Sequence, residues 1–75
     1  MRWNSHEAIP IKGGELRRQR LAADLTQEGL AWRATITRAT VHRLERVRAV
    51  TTPRTLQLIA TALATDPATL LDDAR

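Results

Sequence analysis

Four helix-start signals divide this chain more firmly than any other feature of its sequence. Thr26, Thr37, Thr52-Pro53 and Asp66-Pro67 each supply a side-chain oxygen for the unpaired N–H groups of a helix N-terminus. Two of them add a proline at the first helical position, where its missing N–H does no harm. A chain of 75 residues cut in this way has room only for short helices. Its apolar residues agree: twelve Ala and ten Leu stand against four Ile, three Val and no Phe or Tyr. Such a set favours helix over strand and gives a thin core. At this length a chain needs good packing, a partner or a staple, and with no cysteine it has neither a disulfide framework nor a thiolate metal site.

Before the first start signal the chain shows no period. Ile9-Pro10-Ile11 reads as extended, because a residue before proline is pushed out of the helical region. Residues 1–12 are therefore expected to be a flexible N-terminal arm and Gly13-Gly14 a hinge, followed by a folded domain over 13–72 and a frayed end over 73–75. The glycine pair lacks the surrounding pattern of a phosphate loop. No stretch approaches the roughly eighteen apolar residues of a membrane span, and Met1-Arg2-Trp3-Asn4-Ser5-His6 lacks the apolar core of a signal peptide. The expected location is the cytoplasm.

A first helix over 15–23 puts Leu16, Arg20 and Ala23 in its inward row. An arginine in a core row must be paired, since an isolated buried guanidinium is prohibitively costly. Glu45 is the acid that borders the apolar arc of the third helix. On the second helix, opened by Thr26-Gln27-Glu28, the residues Leu30, Ala31 and Ala34 share one face, while Glu28, Trp32 and Arg33 point away. Thr35-Ile36 makes a short turn. The third helix runs from Arg38 to about Arg46, with Arg38, Ala39, His42, Arg43 and Arg46 on one arc and Thr40, Val41 and Leu44 on the other. A loop over 47–51 follows. Leu56, Ile59, Ala60 and Leu63 then form the inner stripe of a fourth helix, and a short fifth helix carries Leu70-Leu71.

Charge is unevenly placed. Residues 1–54 hold eleven Arg or Lys against five Asp or Glu, a net of +6; residues 55–75 hold one against three, a net of −2. A basic stretch of this size on a small domain points to a polyanion partner.

Leu25-Thr26-Gln27-Glu28-x-Leu30-Ala31, then Ile36-Thr37-Arg38-Ala39-Thr40-Val41-x-Arg43-Leu44-Glu45-Arg46, then Pro53-x-Thr55-Leu56 and Ala62-Leu63, resemble the lambda-repressor-like (Xre-type) helix-turn-helix family. The resemblance covers roughly residues 14–71. It implies an all-α, compact five-helix domain that binds double-stranded DNA sequence-specifically, with the third helix in the major groove, and acts as a transcriptional regulator of repressor type. It also implies that Gln27 starts the second helix against a phosphate and that Arg20 and Glu45 pair across the first and third helices. Where the family usually has glycine, this chain has Asp24, Thr35, Val47 and Ala64, and Gly29 stands inside the second helix where Glu is usual. A non-glycine residue forced to positive φ costs on the order of 1 kcal/mol, and a mid-helix glycine about the same.

On that frame Arg38, Ala39, His42 and Arg43 are the expected base readers. Arginine's planar fork fits guanine O6 and N7, and Ala39 is small enough to admit a thymine methyl. Gln27, Thr37, Thr40, Arg46 and Arg48 are the expected phosphate contacts. Two half-sites about one DNA turn apart suit a homodimer, and a domain this small otherwise calls for a longer parent regulator. Trp32 is either an interface anchor or a side chain lying over its own helix beside Gly29.

Other classes fit less well. Ser5-His6-Glu7 has the right residue types for catalysis but no orienting shell, so no enzyme is expected. Asp72-Asp73 has no third ligand nearby and His42 no partner at zinc spacing, so no metal and no cofactor are expected. The alternative is an interaction or dimerisation module derived from the same fold, which exposes Trp32 and Leu58 and carries its basic surface incidentally.

Overall fold

The computed structural model describes residues 7–72. All four start signals open helices. Thr26 Oγ1 accepts from the Gly29 N–H at 2.9 Å and begins α2 (Gln27–Ala34). Thr37 Oγ1 accepts from the Thr40 N–H at 3.1 Å and begins α3 (Arg38–Leu44). Thr52 Oγ1 accepts from the Thr55 N–H at 3.3 Å and begins α4 (Pro53–Ala62). Only α1 (Gly13–Ala22) starts without a side-chain cap. The α2 helix packs most closely on α3 and also on α4. Leu16, Leu30, Val41, Leu44, Leu56 and Ile59 meet at the centre and are at most 1% exposed.

The fourth signal, Asp66-Pro67, opens a 3-10 helix (Pro67–Leu70) in place of the expected fifth α-helix. Asp66 Oδ1 accepts from the Ala68 N–H at 2.9 Å. The turn cannot extend because Leu71 is recruited into an isolated antiparallel bridge with Ile11, which needs extended backbone. The fold is therefore four α-helices, a 3-10 turn and a small sheet. In that sheet β1 (Ile9–Pro10) runs antiparallel to β2 (Val50–Thr51), with Ile9 opposite Thr51 and Pro10 opposite Val50.

That pairing also corrects the arm expected over residues 1–12. Ile9 and Ile11 are 5% and 2% exposed, the Ile11 N–H donates to the Ala49 carbonyl at 3.0 Å, and the Lys12 N–H donates to the Leu70 carbonyl at 2.7 Å. Residues 9–12 thus belong to the folded unit. The remainder of the arm, residues 1–6, and the end expected to fray over 73–75 lie outside the described residues. Nor are Gly13 and Gly14 a hinge: they form the first turn of α1, with Gly13 buried.

Asp24, Thr35 and Ala64 take positive φ values of 59°, 57° and 52°. The fourth left-handed residue is Arg48 at 62°, not Val47. The chain reverses one residue later than expected, so that Ala49, 8% exposed, enters the core while Val47 stays 89% exposed. Each of these residues carries a Cβ that crowds its own carbonyl, at a cost of roughly 1 kcal/mol. Ala64→Gly is accordingly expected to raise stability by up to about 1 kcal/mol, less whatever the freer unfolded chain takes back. In thermal denaturation that is a rise of a few degrees. The control Ala62→Gly, inside α4, is expected to lower the midpoint.

Candidate nucleic-acid interface

One side of α3 is anchored and the other is free. Val41 and Leu44 are fully buried, whereas Arg38, Ala39, His42 and Arg43 are exposed on the opposite arc. No acid occupies the first turn of α3, and His42 and Arg43 in its last turn suit the negative end of the helix dipole. Thr37 and Thr40 are engaged with each other, their hydroxyls 2.8 Å apart, and Thr40 is half-buried. Arg46 and Arg48 lie beyond the helix end and are exposed. The left-handed turn at Arg48 carries the chain from α3 into β2.

Arg43 has a partner that the sequence did not suggest. Its Nη1 donates to the Val50 carbonyl at 3.1 Å. Val50 lies between Ala49, which faces Ile11, and Thr51, which faces Ile9, so its carbonyl is turned away from β1. A shallow pocket of about 200 Å³ lies beside this contact, lined by Ala8, Arg43, Val50, Thr51, Thr52 and Thr55.

Behind α3 lies a buried polar knot. Arg20 Nε donates to Glu45 Oε2 at 2.5 Å and Nη2 to Glu45 Oε1 at 3.1 Å, with the two side chains 8% and 5% exposed. Its remaining arm, Nη1, donates to the Leu25 carbonyl at 2.7 Å. The hydrogen bond to Glu45 raises the Arg20 pKa against the opposing effect of burial, so this guanidinium stays charged. Glu45 Oε1 also accepts from Gln27 Nε2 at 3.2 Å, which ties the first residue of α2 to the residue that closes α3. Gln27 is half-buried.

The remaining candidate residues are apolar. Trp32 is 84% exposed, so it does not lie across Gly29. Leu58 is half-buried and packs against the core, so it is not part of an open surface. Among the described residues no three His, Cys, Asp or Glu side chains are grouped as metal ligands would be, and no helix is long and apolar enough to cross a membrane.

The family model described as "Helix-turn-helix domain" matches residues 13–72, from the start of α1 to two residues past the 3-10 turn. The chain belongs to the helix-turn-helix domain family. Two solved helix-turn-helix structures are similar to it. One is the restriction-modification controller protein C.AhdI from Aeromonas hydrophila, 33% identical, covering 76% of this chain and 86% of that one, with a TM-score of 0.71. The other is the clp gene regulator ClgR from C. glutamicum, 27% identical, covering 75% of this chain and 73% of that one, with a TM-score of 0.67. Both place this helix-turn-helix domain among the Xre-type, lambda-repressor-like regulators. Comparison with curated proteins returned no match.

Proposed function

We propose that this chain binds double-stranded DNA as a transcriptional regulator of repressor type, inserting α3 into the major groove. The observation that carries the reading is the outer arc of α3, which is cationic, free of acids and exposed, on a domain whose relatives are a controller protein and a gene regulator. Arg38, Ala39, His42 and Arg43 are the proposed base readers. The Val50 carbonyl occupies one of the five N–H donors of Arg43 and holds its stem, leaving other donors for a guanine edge. Gln27, Thr37, Thr40, Arg46 and Arg48 are the proposed phosphate contacts, at helix starts and in the loop after α3. The proposed role is binding without catalysis, metal or cofactor, in the cytoplasm, either as a homodimer reading two half-sites or within a longer regulator.

Binding to duplex DNA that weakens steeply with salt is the primary test. Retention that does not respond to salt would favour an interaction module instead. The two classes of contact are then separable. Arg43→Ala is expected to cost about 1–3 kcal/mol on the preferred duplex and to flatten the preference at one base pair. Arg48→Ala is expected to weaken all sequences alike and to reduce the salt slope by about one. Equal weakening of random and preferred duplex by Arg43→Ala would move it to the phosphate contacts.

Trp32 is the proposed self-association anchor, because a large aromatic exposed to this degree suits the centre of an interface. Sedimentation of Trp32→Ala is expected to show monomer at concentrations where the wild type associates. An unchanged mass distribution removes it from the interface.

A further inference from the structure

Gln27 and Glu45 lie eighteen positions apart in sequence, at the start of α2 and the end of α3, yet share a hydrogen bond. We propose that Glu45 is a positioning residue for Gln27: the carboxylate fixes the rotation of the Gln27 amide so that its Nε2 donor is offered to a DNA phosphate, and Arg20 holds the carboxylate in place. This rests on the reading of α2's start as a phosphate contact.

An amide side chain has one donor end and one acceptor end of nearly equal size. A phosphate oxygen accepts hydrogen bonds only, so it attracts the Nε2 end and repels the Oε1 end. Left to itself, Gln27 samples both. A carboxylate is likewise acceptor-only, so Nε2 must be the end that faces Glu45 Oε1, at 3.2 Å. One N–H is thereby used, the second N–H of the same nitrogen is left over, and Oε1 is turned to the other side.

For such a lever to work, its anchor must be rigid. Glu45 is gripped on both oxygens by the fork of Arg20, with both side chains buried, and Arg20 is gripped in turn by the Leu25 carbonyl just before the α2 cap. The pairing also solves an electrostatic problem. An unpaired carboxylate near a DNA backbone would repel it; paired with Arg20, Glu45 keeps its acceptor geometry while its charge is balanced. One buried knot therefore joins α1, α2 and α3 and sets the orientation of a surface amide.

The test is a double-mutant cycle on affinity of the full chain for a random-sequence duplex at several KCl concentrations, with each fold checked by circular dichroism. Gln27→Ala is expected to weaken binding about threefold to tenfold. Because the amide is uncharged, the slope of log affinity against log salt is expected to stay the same. In an Arg20→Met/Glu45→Leu background, which removes both charges together, Gln27→Ala is expected to change affinity less than twofold. If that background does not fold, Glu45→Asp, which keeps the charge but shortens the reach, takes its place under the same criterion. An equal loss from Gln27→Ala in both backgrounds overturns the proposal and leaves Arg20–Glu45 as a purely structural pair. Absence of salt-dependent duplex binding by the wild-type chain overturns the DNA-binding reading itself, and this proposal with it.

Discussion

Arg20→Ala is expected to lower the melting temperature far more than Arg17→Ala, with no DNA present. Arg17 is exposed, whereas Arg20 is 7% exposed and donates two hydrogen bonds to Glu45 and one to the Leu25 carbonyl. Deleting the guanidinium strands a carboxylate and a carbonyl away from water, at a cost of roughly 3–5 kcal/mol. For a domain of this size each kilocalorie moves the midpoint by about 4–8 °C. Because its folded pKa is raised, the stabilisation from Arg20 is fully present below its unfolded pKa and is lost only as pH rises through the still higher folded value. The deficit of Arg20→Ala is therefore expected to be constant from Arg20's side across neutral pH. A shift no larger than that of Arg17→Ala would show that the pair contributes little to the fold.

Gly13→Ala is the second large effect, and Gly14→Ala is its control. A Cβ on Gly13 would stand 2.4 Å from the Arg46 carbonyl oxygen and 2.8 Å from both the Glu45 carbonyl carbon and the Leu44 carbonyl oxygen. These are backbone atoms at the end of α3, so no side chain can swing aside to relieve the clash. Forcing the first turn of α1 away from α3 is expected to cost about 1–3 kcal/mol. It should also disturb DNA affinity, since the α3 end carries the proposed phosphate contacts. A Cβ on Gly14 meets nothing within 4 Å. Gly14→Ala is expected to stabilise by roughly 0.5–1 kcal/mol through the helix backbone. Chemical denaturation of the two variants separates close packing from helix propensity, and equal shifts would refute the close-approach account.

The helices were legible because their start signals are local. Thr26, Thr37 and Thr52 each need only the N–H three residues ahead, and the 3.6-residue period placed Leu30, Val41 and Leu56 inward with no knowledge of the rest. Asp66 was legible as a start but not as the start of a 3-10 turn, because what ends that turn is Leu71 pairing with Ile11 from the other end of the chain. The alternation of Ile9 and Ile11 around Pro10 is a period-two signal, but two residues of strand are too few to separate it from an extended arm. At the candidate site, the exposed arc of α3 followed from spacing alone. The Val50 carbonyl on Arg43 and the Gln27 amide on Glu45 did not: one partner is backbone, which every residue carries alike, and the other link spans two helices whose separation only packing sets.

The clasp between Ile11 and Leu71 joins residues sixty positions apart, and the Asp72 N–H closes it by donating to the Pro10 carbonyl at 3.1 Å. Topologically it turns the described chain into a ring. By contrast α2 and α3 are linked through residues 35–37 alone, so their mutual packing forms at small entropic expense. Chain separation predicts the order of folding: the helical pair at the centre is expected to condense first and the ring to shut last. The same ordering predicts how the native state fluctuates. The clasp is expected to open more readily than the centre, so that hydrogen exchange appears first at β1 and the loop behind Arg43 and last around the buried knot of Arg20, Glu45 and Gln27.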